Sequence, residues 1–283
     1  MYYLFILARW FSLIFPRSIC YLIANFFAHI QFYLSKKDRE AVIYNLSPFT
    51  KDKKKLKKYA KEVFVNFSYY LIDFFRYAKL DEKFIKKYVR ISGIDYLNQS
   101  LSRDKGVIML TAHLGNYELA GAIISLMGYP LYAVAFPHKD KRLNRFFDHQ
   151  REIAGIKIIP TGVTVKKCFS VLKRGGMVGF LGDKDFMGGG IKVKMFSSYV
   201  RLPRGIAFFS SRIDAYIVPS FLIRDNKKFY HLIFEEPIIC TREEKSTASS
   251  EKAIIRKYIP ILEKYIKKYP QQWYMFQKYW LPE

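Results

Sequence analysis

From Tyr88 onward the apolar positions fall into short runs, YVRIS, VIML, LYAVA, IKII, MVGFL, KVKMF, AYIVPS and FYHLIF, each bounded by turn-forming or polar residues. Between them the apolar positions recur at helical spacing, which predicts helices over 116–127, 141–154, 163–174 and 204–213. Strands that alternate with helices make an α/β domain with a mixed, largely parallel sheet flanked by helices. Such sheets bind ligands at the carboxyl ends of their strands. Upstream, residues 58–77 place Val63, Phe67, Tyr70, Leu71 and Phe74 on one face of a long amphipathic helix, an aromatic stripe suited to a core. Downstream, Ile254, Ile255, Tyr258, Ile261, Leu262 and Tyr265 repeat that spacing in a last helix, bent at Pro260. The polar run TREEKSTASSEK, 241–252, reads as a solvated loop, and no internal repeat is visible.

The first 34 residues follow another pattern. Two apolar runs are broken by Pro16 and Arg17, with Arg9 inside the first. Neither reaches the roughly 20 apolar residues that cross a bilayer as one helix, and no small-residue cleavage site follows cleanly, so a removed signal peptide fits poorly. The pattern predicts two helices that lie in or dip into a membrane face. A single kinked span and a buried hairpin of a soluble protein are the alternatives. The basic stretches SKKDRE and KDKKKLKK next to this segment favour the cytoplasmic side. Residues 1–34 are therefore set apart as a membrane-associating segment from the domain spanning 35–283.

Charge narrows the partners. With 48 Lys+Arg against 24 Asp+Glu the chain carries +24, which favours an anionic partner: nucleic acid, anionic lipid or an acidic carrier protein. Aromatic residues make up 18% of the chain and lie largely beside basic ones, a mixture that suits a lipid headgroup boundary and also occurs in binders of single-stranded RNA. Three scattered cysteines suggest neither a disulfide framework nor a zinc knuckle.

Two segments carry candidate chemistry. In GVIMLTAHLGNYELAG, a turn after a strand holds His113 and Glu118. Five positions apart on a regular helix would separate the two side chains by about 140°, so they meet only if the turn bends at Gly115. In that arrangement the carboxylate would fix the imidazole tautomer while the other ring nitrogen takes a proton from a hydroxyl. Amides at the helix start would hold an oxyanion. The plain alternative is a polar turn between core elements. In MVGFLGDKDFMGGGIKVKMF, Asp183, Lys184 and Asp185 follow another strand: Lys184 could neutralise a phosphate, and Asp183 could orient a hydroxyl or a basic partner. Here the alternative is a glycine-rich hairpin with a charged tip. His138 and His149 lack metal-site spacing, His231 reads as structural and His29 as facing a headgroup.

HLGNYE fits an H-x4-D/E motif, and GDKDF, IKVKMFSSYVRLPRGIAFFSSRIDAYIVPSF and YPQQWYMFQKYW follow it in order. Together these resemble the lipid A biosynthesis (late) acyltransferase family, which includes the mycobacterial acyltransferases of mannosylated phosphatidylinositol. The resemblance implies a glycerolipid acyltransferase-like fold, and transfer of an acyl chain from an acyl carrier protein or coenzyme A thioester to a hydroxyl of a membrane lipid. It implies no metal and no cofactor beyond that co-substrate. His113 would be the general base and Glu118 its partner. Asn116, Arg151, Asp183, Lys184, Asp185, Arg204 and Gly205 would line the substrates. The implied place is the cytoplasmic face of the inner membrane, in lipid A or lipopolysaccharide biosynthesis, with no nucleic-acid partner. Lys184 and Gln271 depart from the glutamine and glutamate usual at their positions. A catalytically inactive basic protein that binds membrane or RNA on the same fold is the rival reading.

Overall fold

In the computed structural model the described residues are 2–282 apart from 104, 136–137, 161–162, 186–187, 226–227 and 242–249. Three helices, α1 (Tyr2–Ile14), α2 (Arg17–Leu34) and α3 (Lys36–Leu46), lead into the long α4 (Lys53–Phe75). Asp52 caps α4 by accepting from the amides of Lys54 (2.8 Å) and Lys55 (3.2 Å), satisfying donors that the first turn leaves open. Of the predicted α4 stripe, Val63, Tyr70 and Phe74 are buried and Phe67 and Leu71 half-buried, and Ala60 and Phe64 join the buried set. Helices α1 to α3 pack on α4.

The chain then enters the sheet through α5 (Glu82–Tyr88), β1 (Val89–Ser92) and α6 (Ile94–Leu101). It continues as β2 (Val107–Thr111), α7 (Tyr117–Leu126), β3 (Leu131–Ala135), α8 (Lys141–Ile153), β4 (Lys157–Pro160), α9 (Thr164–Lys173) and β5 (Met177–Leu181). A separate hairpin of β6 (Ile191–Met195) and β7 (Ser198–Leu202) precedes α10 (Gly205–Arg212), β8 (Tyr216–Arg224), β9 (Tyr230–Phe234) and α11 (Ser250–Lys268). Among the described residues the main sheet has seven strands in the order β1-β9-β8-β2-β5-β3-β4, and every pair is parallel except β8 with β9. The expected mixed, largely parallel sheet flanked by helices is the fold.

Central β2 is sandwiched between β8 and β5, and its VIML run is buried on both faces, the reason that it shows no alternation. One face is covered by a core that includes Phe221, Ile254, Tyr258 and Leu262, the other by one that includes Phe74, Leu119 and Ile123.

Some boundaries differ from the sequence reading. The AYIVPS strand runs on to Arg224, with all nine residues of β8 buried. Pro219, which cannot donate, stands where β8 ends its pairing with β2 and begins pairing with β9 at Ser220. SYVRL forms β7, a strand hidden in sequence because it folds straight back on β6 through a turn in which Phe196 adopts φ +52°. Helix α11 starts at Ser250, so the polar stretch expected to be a loop ends in helix, and 242–249 lie outside the described residues. The helix continues through Pro260.

Candidate active site

Parallel pairing decides which side chains meet. Strands β2 and β5 pair from Val107 with Met177 to Thr111 with Leu181. Just beyond the strands, Gly182 donates from its amide to the Thr111 carbonyl (2.8 Å), holding the two carboxyl ends together. Two residues past each strand end the same 70-residue offset joins His113 and Asp183, whose Nδ1 and Oδ1 are 2.8 Å apart. Neighbouring strands lie about 4.8 Å apart, close enough for this bond without a special loop.

Asp183 is fully buried, and its carboxylate is held from three directions. The His113 ring contacts Oδ1, while the His113 amide (3.0 Å) and Trp273 Nε1 (3.0 Å) both donate to Oδ2. Burial pushes the carboxyl's pKa up, but the His113 charge and these donors outweigh it and hold Asp183 below the usual carboxylate range. An ionised carboxylate only accepts. Nδ1 of His113 therefore carries a hydrogen, and in the neutral ring the lone pair is on Nε2.

The turn is fixed on its other side by the C-terminal segment. Leu114 bridges Trp273, Tyr274 donates to the His113 carbonyl (2.8 Å), and Gly115 donates to the Gln272 carbonyl (2.9 Å). Gly115 sits at φ +64°, and a Cβ there would come within 2.1 Å of the Leu222 carbonyl oxygen. Only glycine fits. Asn116 caps α7 by accepting from the Leu119 amide (3.2 Å), and its own amide donates to the Leu222 carbonyl (2.8 Å). The QQW stretch of the tail is thus a brace for the histidine turn, and Tyr279 adds a hydrogen bond to the Asp183 carbonyl (2.7 Å).

Asp183, rather than the expected Glu118, is the carboxylate on His113 Nδ1. Glu118 lies in the first turn of α7 and faces Arg151 in the last turn of α8, which donates through Nη2 (2.6 Å) and through Nε to both carboxylate oxygens (3.1 Å each). Burial lowers the guanidinium's pKa, and the Glu118 charge more than reverses that, so Arg151 stays charged. The predicted residues therefore form two pairs, His113–Asp183 and Glu118–Arg151. The others are dispersed. Lys184 donates to Gln277 Oε1 (2.8 Å), and Asp185 accepts from the Gly190 amide (2.6 Å). Arg204 pairs with Glu251 (2.7 Å), tying the start of α10, which Gly205 opens, to the first turn of α11.

A third polar cluster escaped the sequence reading. Buried Asp73 of α4 accepts from Tyr21 (2.6 Å), Arg17 Nε (3.1 Å), Arg224 Nη2 (3.2 Å), Asn116 Nδ2 (3.2 Å) and Tyr230. Burial raises its pKa, but Arg17 and Arg224, with the two phenols, bring it below the usual value. The cluster joins α2, α4, β8, β9 and the cap of the histidine turn, so its members are scattered from residue 17 to residue 230. Its only sequence signal is an aspartate in the apolar stripe of α4. Among the described residues no group of His, Cys, Asp and Glu is arranged to hold a metal ion.

The chain resembles known proteins along its length. The model of the bacterial lipid A biosynthesis acyltransferase family matches residues 1–282. The phosphatidylinositol mannoside acyltransferase of Mycolicibacterium smegmatis is 24% identical over 225 residues, 77% of this chain and 71% of that protein. The one from Mycobacterium tuberculosis is 23% identical over 197 residues, 68% and 60% of the two chains. A lipid A biosynthesis acyltransferase of Haemophilus influenzae is 22% identical over 141 residues, 50% of this chain and 44% of that one. Among solved structures, the 1-acyl-sn-glycerophosphate (LPA) acyltransferase PlsC of Thermotoga maritima superposes with a TM-score of 0.41 at 12% identity, covering 91% of this chain and 99% of its own. With a family match from end to end and a histidine turn at the carboxyl edge of the sheet, the chain is an acyltransferase and belongs to the bacterial lipid A biosynthesis acyltransferase family.

Proposed function

We propose that this acyltransferase works at a membrane surface, moving a fatty acyl chain from an acyl carrier protein or coenzyme A thioester to a hydroxyl of a lipid A precursor or related glycolipid. The observation that carries the mechanism is the 2.8 Å bond between His113 Nδ1 and buried Asp183. It leaves Nε2 as the basic nitrogen. Nε2 takes the proton of the acceptor hydroxyl as its oxygen attacks the thioester carbonyl and the C–O bond forms. The tetrahedral intermediate collapses, the C–S bond breaks, and the departing thiolate receives the proton from Nε2. Asp183 balances the transient imidazolium. The Asn116 amide and the Leu119 amide are already engaged, by the Leu222 carbonyl and by the Asn116 cap. An oxyanion at the start of α7 therefore falls to the amides of Tyr117 and Glu118.

Membrane docking rests on the outer faces of α1 and α2, where Leu4, Leu7, Ile14, Leu22, Phe26 and Phe27 are all more than 60% exposed. So wide an apolar patch marks an interaction surface. A depression of about 520 Å³ on α2, lined by Leu22, Ile23, Asn25, Phe26 and His29, adds to it. Among the described residues no helix is long and apolar enough to cross a membrane. We place this face in the cytoplasmic side of the inner membrane as an interfacial anchor.

The test is to supply purified protein with membrane lipid extract and, in separate reactions, acyl carrier protein and coenzyme A thioesters, and to read the lipid products by mass spectrometry. A glycolipid gaining one acyl chain with one donor identifies both substrates. Acylation confined to a lysophospholipid would overturn the glycolipid assignment.

A further inference from the structure

We infer that the elbow between α1 and α2 holds the phosphodiester of an anionic membrane lipid, in a cavity that none of His113, Asp183, Glu118 and Arg151 lines. The inference rests on the membrane docking proposed above. The elbow opens onto a cavity of about 240 Å³ lined by Arg17, Arg76, Lys79, Phe84, Tyr88 and Leu119, with Asp73 in its wall. That is smaller than the roughly 300–1,000 Å³ of pockets that enclose whole ligands. A headgroup suits it better than an acyl chain.

Its charge is positive and in part unspent. Asp73 is outnumbered by Arg17 and Arg224, which both pair with it. Arg76 donates through Nη1 to the carbonyls of Ser12 and Phe15 (2.9 Å for Phe15), so that its guanidinium satisfies the last turn of α1 and is held in place. Among the described residues neither Arg76 nor Lys79 pairs with a carboxylate, whereas other cations of the chain, such as Arg151, Arg204 and Lys264, do. The Arg17 guanidinium lies 5.1 Å from the Phe84 ring and 5.4 Å from the Tyr88 ring, so aromatic walls keep the cationic side of the cavity in position.

The elbow also lies at the edge of the apolar face. Ile14, Phe15 and Ile19, exposed by 66%, 40% and 42%, flank the elbow and belong to the apolar face of α1 and α2. When such a face settles just below the headgroups, cations at its edge lie at the depth of the lipid phosphates. A guanidinium and an ammonium at that depth are a fork and a point charge for one phosphodiester.

The test is flotation of the full chain with vesicles of phosphatidylcholine alone and of phosphatidylcholine mixed with phosphatidylglycerol. The variants are Lys79→Gln, an exposed position whose change leaves the fold intact, and Lys173→Gln, which removes the same charge at the end of α9. Wild type should float with both vesicles and more strongly with the anionic ones. Lys79→Gln should lose about fivefold of the anionic gain, the worth of one lysine at a charged surface, with unchanged binding to phosphatidylcholine. Lys173→Gln should lose little. Equal losses in the two variants would show diffuse attraction and overturn the site. No flotation of wild type on either vesicle would refute the docking reading itself. Inorganic phosphate that raises the Tm of wild type but not of Lys79→Gln, with no difference between the vesicles, would make this a site for free phosphate and overturn the lipid assignment.

Discussion

Asp183→Asn probes the histidine turn with almost no change of shape. In the wild type, Oδ2 accepts from the His113 amide and Trp273 Nε1, and Oδ1 faces His113 Nδ1. An asparagine must place its one carbonyl oxygen on the side with two donors, because the opposite orientation sets its NH2 against both of them. The NH2 then points at Nδ1 and donates to it. That forces the hydrogen onto Nε2, and the base is lost while the ring stays in place. A general base contributes on the order of 10² to 10⁴ in rate, and an aspartate-to-asparagine change that traps the wrong tautomer sits at the upper end. The expected fall in kcat is thus about 10³ to 10⁴, or roughly 4 to 5.4 kcal/mol of transition-state stabilisation, with KM little altered. Stability should fall by only about 1.5–3 kcal/mol, the worth of a hydrogen bond to a charged group. The assay is thiol release from an acyl thioester in the presence of acceptor, at a temperature where both proteins are folded by circular dichroism. A kcat within tenfold of wild type in the folded variant would refute the tautomer argument.

Other outcomes follow from the same geometry. Gly115→Ala should unfold the turn, since φ +64° and a Cβ 2.1 Å from the Leu222 oxygen combine backbone strain with a backbone clash; denaturant titration should show a loss of at least 2 kcal/mol. Trp273→Phe leaves Asp183 one donor short and should cost about 1–3 kcal/mol at neutral pH, with the cost shrinking in urea titrations at pH values where the carboxyl is protonated. Asp183 and Asp73 both have depressed folded-state pKa values. The stability they contribute is therefore present above the unfolded carboxyl value of about 3.9 and is lost as pH falls through their lower folded values; acid unfolding followed by tryptophan fluorescence should shift to higher pH in Asp73→Asn. For Glu118 and Arg151, alanine substitutions measured singly and together should show a coupling of about 0.5–3 kcal/mol in stability, and additive losses would mean the pair does not act as a unit.

The layers of this fold were readable because burial writes itself into periodicity. VIML and MVGFL announce strands with no polar face, and the stripe from Val63 to Phe74 announces α4. The histidine turn was readable too, since a strand, a glycine and a capping asparagine follow one another along the chain. The partner of His113 was not. Glu118 is near in sequence, but Asp183 is near in space, and only the adjacency of β2 and β5 in the sheet order brings residues 70 apart into contact. Nothing in either strand's composition names its neighbour. The same holds for Asp73, whose five partners come from four separate stretches, and for Trp273, whose indole reaches Asp183 across 90 residues. The glutamate of the motif has a local signal and a distant partner, Arg151, which likewise lay outside what spacing could reveal.

His113 is the proposed base of acyl transfer. Its most direct test is the rate at which purified His113→Ala acylates the acceptor, compared with wild type under the same donor and acceptor. That role predicts a fall of at least about 10²-fold, in a variant that is still folded by circular dichroism and binds vesicles as before, with a Tm lowered by the loss of one partner of buried Asp183. Transfer at near wild-type rate by the folded variant would contradict it.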